Sequence, residues 1–131
     1  MLTTHRSDIK HLESLMITDQ VIMNRKMMER TIIRMALEEM VAGGCEIQLR
    51  SGNALVTLRT TDVEAVMQKL MAADEEYLWV WYHAENDWEY SGMISFIYGK
   101  NGWDVIKNDL PDLKPFLKRT SEFSDRLSKV I

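Results

Sequence analysis

The chain of 131 residues contains a single cysteine, Cys45, so no internal disulfide can form. No apolar run approaches the ~20 residues that span a membrane. The opening MLTTHRSDIK has no apolar centre of the kind a signal peptide carries, and the expected location is the cytoplasm. There is no excess of positive charge: the net charge is -4, which argues against a chain that coats nucleic acid. Neither G-x-G-x-x-G, nor a P-loop, nor G-x-S-x-G occurs, so no dinucleotide site, phosphate loop or nucleophile elbow is signalled. Nothing calls for a cofactor, and the expectation is a protein that is not an enzyme.

With 46% hydrophobic and 27% charged residues the composition is that of a globular protein, and the length suits one domain with its own core. Ile9, Leu12 and Met16 recur at helical spacing. A break at Ile17-Thr18-Asp19-Gln20 then leads to a second helix, in which Met28, Ile32, Met35, Ala36 and Met40 share one side and Gly43-Gly44 gives the stop. CEIQLR and ALVTLR around a Ser-Gly-Asn turn read as a hairpin. Thr61 and Glu64 form a capping box for a third helix with Val63, Val66, Met67, Leu70 and Met71 inward.

Tyr77 to His83, the run ending at Tyr98, and Trp103 to Ile106 are the remaining strands; Pro111 or Pro115 opens a last helix whose stripe is Phe116, Thr120, Phe123, Leu127 and Val130. The expected fold is α+β in the order ααββαβββα: about five mainly antiparallel strands with helices on one face. Residues 1–131 form one domain, and residues 1–20 are an appended helix whose apolar face is free for a second copy, so a homodimer is expected.

Charge and aromatic residues are unevenly distributed. Between Leu70 and Gly99 lie six acids (Asp74, Glu75, Glu76, Glu85, Asp87, Glu89), no lysine or arginine, and eight of the eleven aromatic residues. Alternation sends Leu78, Val80 and Tyr82 to one face and Tyr77, Trp79, Trp81 and His83 to the other. Either both faces are core, or the second is an interface, since Trp and Tyr are common interface anchors. The interface reading makes Trp79, Trp81, Glu85, Asp87, Trp88 and Tyr90 partner-binding residues. Carboxylates beside aromatics suit a basic protein partner. Mimicry of phosphates is a thinner reading of the same acids.

The alternative site is a basic helical stripe, Lys26, Arg30 and Arg34 with Arg25, which would touch nucleic acid. Glu29 and Glu38 stand four residues from Arg25 and Arg34 and explain those arginines without a ligand. His83, Glu85 and Asp87 are metal-ligand types, but the segment turns there and no metal is expected. Cys45 reads as a core thiol. An enzyme built on Asp104, Glu85 and His83 would need those three in one cleft.

The run AGGCEIQLRSGNALVTLRTTDVEAVMQKLMAADEEYLWV, followed by SGMISFIYGKNGWDVI, resembles small orphan proteins of unknown function carried by bacterial prophages and plasmids. Those proteins have a helix beginning S/T-T-D and a later turn of the form YGN-G-x-DVISDY. This chain reads YGKNGWDVIKND there and departs at Lys107-Asn108-Asp109. The resemblance implies a mobile genetic element and an accessory role, with no catalytic residues to carry over.

Overall fold

The computed structural model describes the backbone of residues 6–52 and 54–130, and side chains from Asn24 onward within that range. Helix α1 (Arg6–Ala42) is followed by strands β1 (Glu46–Ser51) and β2 (Ala54–Leu55), helix α2 (Val63–Met67), and strands β3 (Glu75–His83), β4 (Glu89–Ile97) and β5 (Ile106–Lys107). A 3-10 segment, Pro111–Leu117, leads into helix α3 (Lys118–Val130). Among the described residues no helix is long and apolar enough to cross a membrane.

One helix of 37 residues stands where two were expected. The stretch from residue 6 to 42 holds neither proline nor glycine, and Thr18 and Asp19 each cost a helix interior only about 0.7 kcal/mol or less. Residues that favour a cap are thus carried through mid-helix. The apolar face expected on the first helix lies outside the described side chains. At its far end α1 is stopped as expected: Gly44 takes φ +95°, and Cys45 N donates to Met40 O at 2.9 Å.

The five strands form one antiparallel sheet in the order β2-β1-β3-β4-β5, an α+β arrangement. Alternation sorts its two faces. Ile47 and Leu49 stand opposite Val80 and Leu78, and Ile94 opposite Leu78; with Phe96 they are buried against Ile32, Ile33, Leu37 and Met40 of α1. Val66 and Met67 of α2, and Leu113 and Leu117 of the 3-10 segment, close the same core. The helices therefore cover one face.

Strand β2 is short because Val56 N and Thr57 N both donate to Leu49 O, a bulge that bends the chain away after two residues. Helix α2 is also shorter than expected. Asp62, not Thr61, caps it, accepting from Ala65 N at 3.2 Å. After Met67 the chain tightens through i−3 bonds and reverses at Met71, whose φ is +68°. Buried Glu76 holds that reversal by accepting from Met71 N at 2.7 Å and from the Tyr98 hydroxyl at 2.6 Å. The α3 stripe is inward at Thr120 and half-buried at Phe123 and Leu127, whereas Val130 is exposed.

Candidate functional site

The face of the sheet opposite the helices carries Glu46, Gln48 and Arg50 of β1, Tyr77, Trp79 and Trp81 of β3, and Ser91, Met93 and Ser95 of β4. Trp79 and Trp81 are half-buried there, with ring centroids 6.4 Å apart and planes 30° from parallel. Two arginines lie over them. The Arg50 guanidinium is 4.8 Å from the Trp79 centroid and donates through Nε to Gln48 Oε1 at 2.9 Å. The Arg59 guanidinium is 4.4 Å from the Trp81 centroid. Such stacking is favourable because the ring face is negative and the guanidinium is weakly hydrated.

Arg59 is fixed by two carboxylates: it donates to Glu46 Oε1 at 3.0 Å and to both oxygens of Glu89, at 2.6 and 3.1 Å. Those bonds hold the Glu89 carboxyl below its usual range. His83 Nε2 is 3.7 Å from the same carboxylate. The result is a planar aromatic and guanidinium surface in which Arg59 is paired with carboxylates while Arg50 is held by the neutral Gln48 amide.

The six acids do not rim this surface evenly. Glu76 is buried among the helices, and Glu89 is neutralised by Arg59. Asp74 and Glu75 are exposed at one end of β3, and Glu85 and Asp87 at the other, in the β3–β4 turn. Trp88 projects from that same turn, where Trp88 N donates to Asn86 Oδ1 at 3.1 Å. Tyr90 is on the opposite face: it stands across from Tyr82, with centroids 5.9 Å apart. The six residues singled out for partner binding thus fall into a Trp79–Trp81 group, a Glu85–Asp87–Trp88 group and a separate Tyr90. Sequence reasoning passed over Arg50 and Arg59; no local signal marks them, because they reach the tryptophans only through strand pairing.

The basic stripe of α1 is largely engaged within the chain. Arg34 pairs with Glu64 of α2 and lies 4.0 Å from Glu38, while Arg30 Nη2 donates to Met67 O at 3.4 Å. Arg25 lies 4.0 Å from buried Glu29, whose other oxygen accepts from Gly99 N at 2.9 Å. Lys26 is exposed. Arg30 and Arg34 thus pin α1 to α2, and Glu29 pins it to the turn after β4.

That turn, YGKNGWDVIKND, uses Gly99 at φ +86° and Gly102 at φ +96°, conformations that favour glycine. It borders a groove of about 620 Å³ against α3, lined in part by Trp103, Asp104, Asn108 and Lys118. Asn101 Nδ2 donates to Asp104 Oδ2 at 2.7 Å and Asp104 N donates back to Asn101 Oδ1 at 2.9 Å, so the aspartate is used in shaping the turn. Asp104 belongs to the Glu75 end of the sheet, while His83 and Glu85 lie at the other end of β3, about 25 Å along the strand. The three do not form one cleft. Among the described residues no group of three His, Cys, Asp or Glu side chains is arranged to hold a metal ion. Searches against known protein families, curated proteins and solved structures return no significant match to the chain.

Proposed function

We propose that this chain is a non-catalytic, cytoplasmic accessory protein that binds another protein through the open aromatic face of its sheet. The observation that carries the reading is the placement of Trp79 and Trp81 on the face opposite the described helices, side by side and capped by Arg50 and Arg59. Flat aromatic side chains, with arginines already held by Gln48, Glu46 and Glu89, give a partner large contact area at small further cost in conformational entropy, and these residue types dominate interface energetics. Exposed Glu85 and Asp87 beside Trp88 supply a negative margin at one end, which favours a basic partner there. The resemblance to prophage- and plasmid-borne proteins supports the accessory role, and a homodimer is the working assembly.

The alternative, a nucleic-acid-associated regulator acting through Lys26, Arg30 and Arg34, has less to work with. Two of its three cations already bond to α2. An affinity capture from bacterial lysate tests both readings, using the wild type, Trp79→Ala/Trp81→Ala and Arg30→Glu/Arg34→Glu, each first checked for folding. Loss of a specific protein with the tryptophan pair alone supports the sheet face. Capture of nucleic acid that is lost with the arginine pair alone overturns it.

A further inference from the structure

We propose that the homodimer is built by the free edge of β4, to which a second copy of this chain adds its own β4 antiparallel, with Ser91 on the twofold axis. The inference rests on the homodimer named above but not on the tryptophan face.

Strand β4 is nine residues long, yet β5 pairs with it only at Ser95 and Phe96. Ile97 N donates to Val105 O, toward β5. Backbone groups alternate along a strand, so the N–H and C=O groups of Met93, Ser91 and Glu89 point to the same outer side. Among the described residues no strand or loop hydrogen-bonds to these groups. An unpaired edge of this kind is a template for another strand, and proteins that must stay monomeric guard it with lysine, proline or an inward charge. Residues 89–94, EYSGMI, contain neither lysine nor proline, and their one charge, Glu89, is paired with Arg59.

The same edge collects exposed apolar surface. Of the eight large hydrophobic side chains exposed among the described residues, four lie along it: Trp88 at 69%, Tyr90 at 43%, Met93 at 41% and Leu110 at 37%. Leu110 belongs because its Cδ1 sits 2.6 Å from where a Cβ on Gly92 would be. Edge backbone groups and flanking apolar side chains together call for an extended strand with apolar side chains of its own.

The chain's own β4 meets that requirement in the register centred on Ser91. With Ser91 opposite Ser91, Met93 stands opposite Glu89 of the second copy and Glu89 opposite its Met93. The three pairs form about six backbone hydrogen bonds, two from each directly bonded pair. No carboxylate faces a carboxylate. Tyr90 falls opposite Gly92 of the second copy, beside the exposed Leu110 side chain that already covers that glycine. The two sheets then join into one of ten strands, with the open tryptophan faces continuous.

The register has a direct chemical test in the full-length protein. Directly opposed residues of a hydrogen-bonded antiparallel pair have Cα atoms about 5.5 Å apart, inside the range a disulfide can bridge. Ser91→Cys should therefore cross-link under mild oxidation, giving roughly tenfold more covalent dimer than Met93→Cys, whose two copies would be about 13 Å apart. Cys45 is buried and offers no competing thiol. Ser91→Pro, which removes an outward N–H without touching the β3 side, should sediment as a monomer while the wild type sediments as a dimer. A monomeric wild type overturns the homodimer and this inference together. A dimer that cross-links no better at position 91 than at 93 overturns the β4 edge alone, and leaves the tryptophan face to its own test.

Discussion

Arg59 lies 4.4 Å from the centroid of Trp81, held there by hydrogen bonds to Glu46 and Glu89 from two different strands. The arrangement stacks a guanidinium on the ring, and it ties the loop after β2 to the centre of the sheet. Arg59→Ala should uncover Trp81, so acrylamide should quench the variant's fluorescence more than the wild type's.

The same contact sets a pH dependence. The hydrogen bond from Arg59 holds the Glu89 carboxyl below the 4.5 of a free side chain. A carboxyl depressed in the folded state binds fewer protons folded than unfolded, so its contribution is present above the unfolded value and lost as pH falls through the folded one. Glu64, lowered by its bond from Arg34, acts in the same direction. Stability should fall as pH drops from about 5 to about 3, and Arg59→Ala should flatten part of that decline, as read from urea midpoints across the range. These pairs face solvent, so added salt should weaken the effect.

The two faces of β4 should respond differently to truncation. Phe96 is fully buried, and Phe96→Ala should cost about 3–5 kcal/mol through lost burial and the cavity left behind. Met93 is exposed on the other face, and Met93→Ala should cost under about 1 kcal/mol. Chemical denaturation of both variants checks the asymmetry. Similar large losses would mean that the open face is also core.

Glu39 of α1 acts as a cap for α3 from 81 residues away. Its Oε1 accepts from Thr120 N at 2.9 Å and from Thr120 Oγ1 at 2.8 Å, and its Oε2 from Arg119 N at 2.9 Å. Glu39→Ala should cost about 1 kcal/mol, the usual price of a lost cap, and Glu39→Gln should recover part of it. Denaturant unfolding of the two variants measures the difference.

Cys45 lies in the core on the helix side of the sheet, and burial pushes its thiol up to about 11. The native protein should therefore leave a thiol reagent near neutral pH unreacted, and denaturant should release one equivalent. Rapid labelling of the folded chain would place Cys45 outside the core.

Much of this architecture was legible wherever period and burial coincide. Leu78, Val80 and Tyr82 alternate with Tyr77, Trp79 and Trp81, and the sheet separates them as the alternation requires. Val66, Met67 and Leu70 face inward as their spacing predicts, although the helix is only five residues long and ends before Leu70. What stayed hidden depended on register between distant segments. Gln48 stands opposite Trp79 and Glu46 opposite Trp81, so Arg50 and Arg59 reach the rings from β1 and from the loop after β2. Tyr90 was grouped with the tryptophans because its face depends on how many residues the β3–β4 turn consumes. The Thr18–Asp19 signal misled for a different reason: cap-forming residues also occur inside helices when the flanking sequence is helical throughout.

The central claim is that the open face, with Trp79 and Trp81 at its centre, is the surface that meets a partner. A photo-activated cross-linker placed at position 79 in bacterial cells, with the same group at position 30 as the comparison, tests it most directly. The account predicts a discrete protein adduct from position 79 and none from position 30. Adducts from position 30 alone, or none from position 79, would contradict it.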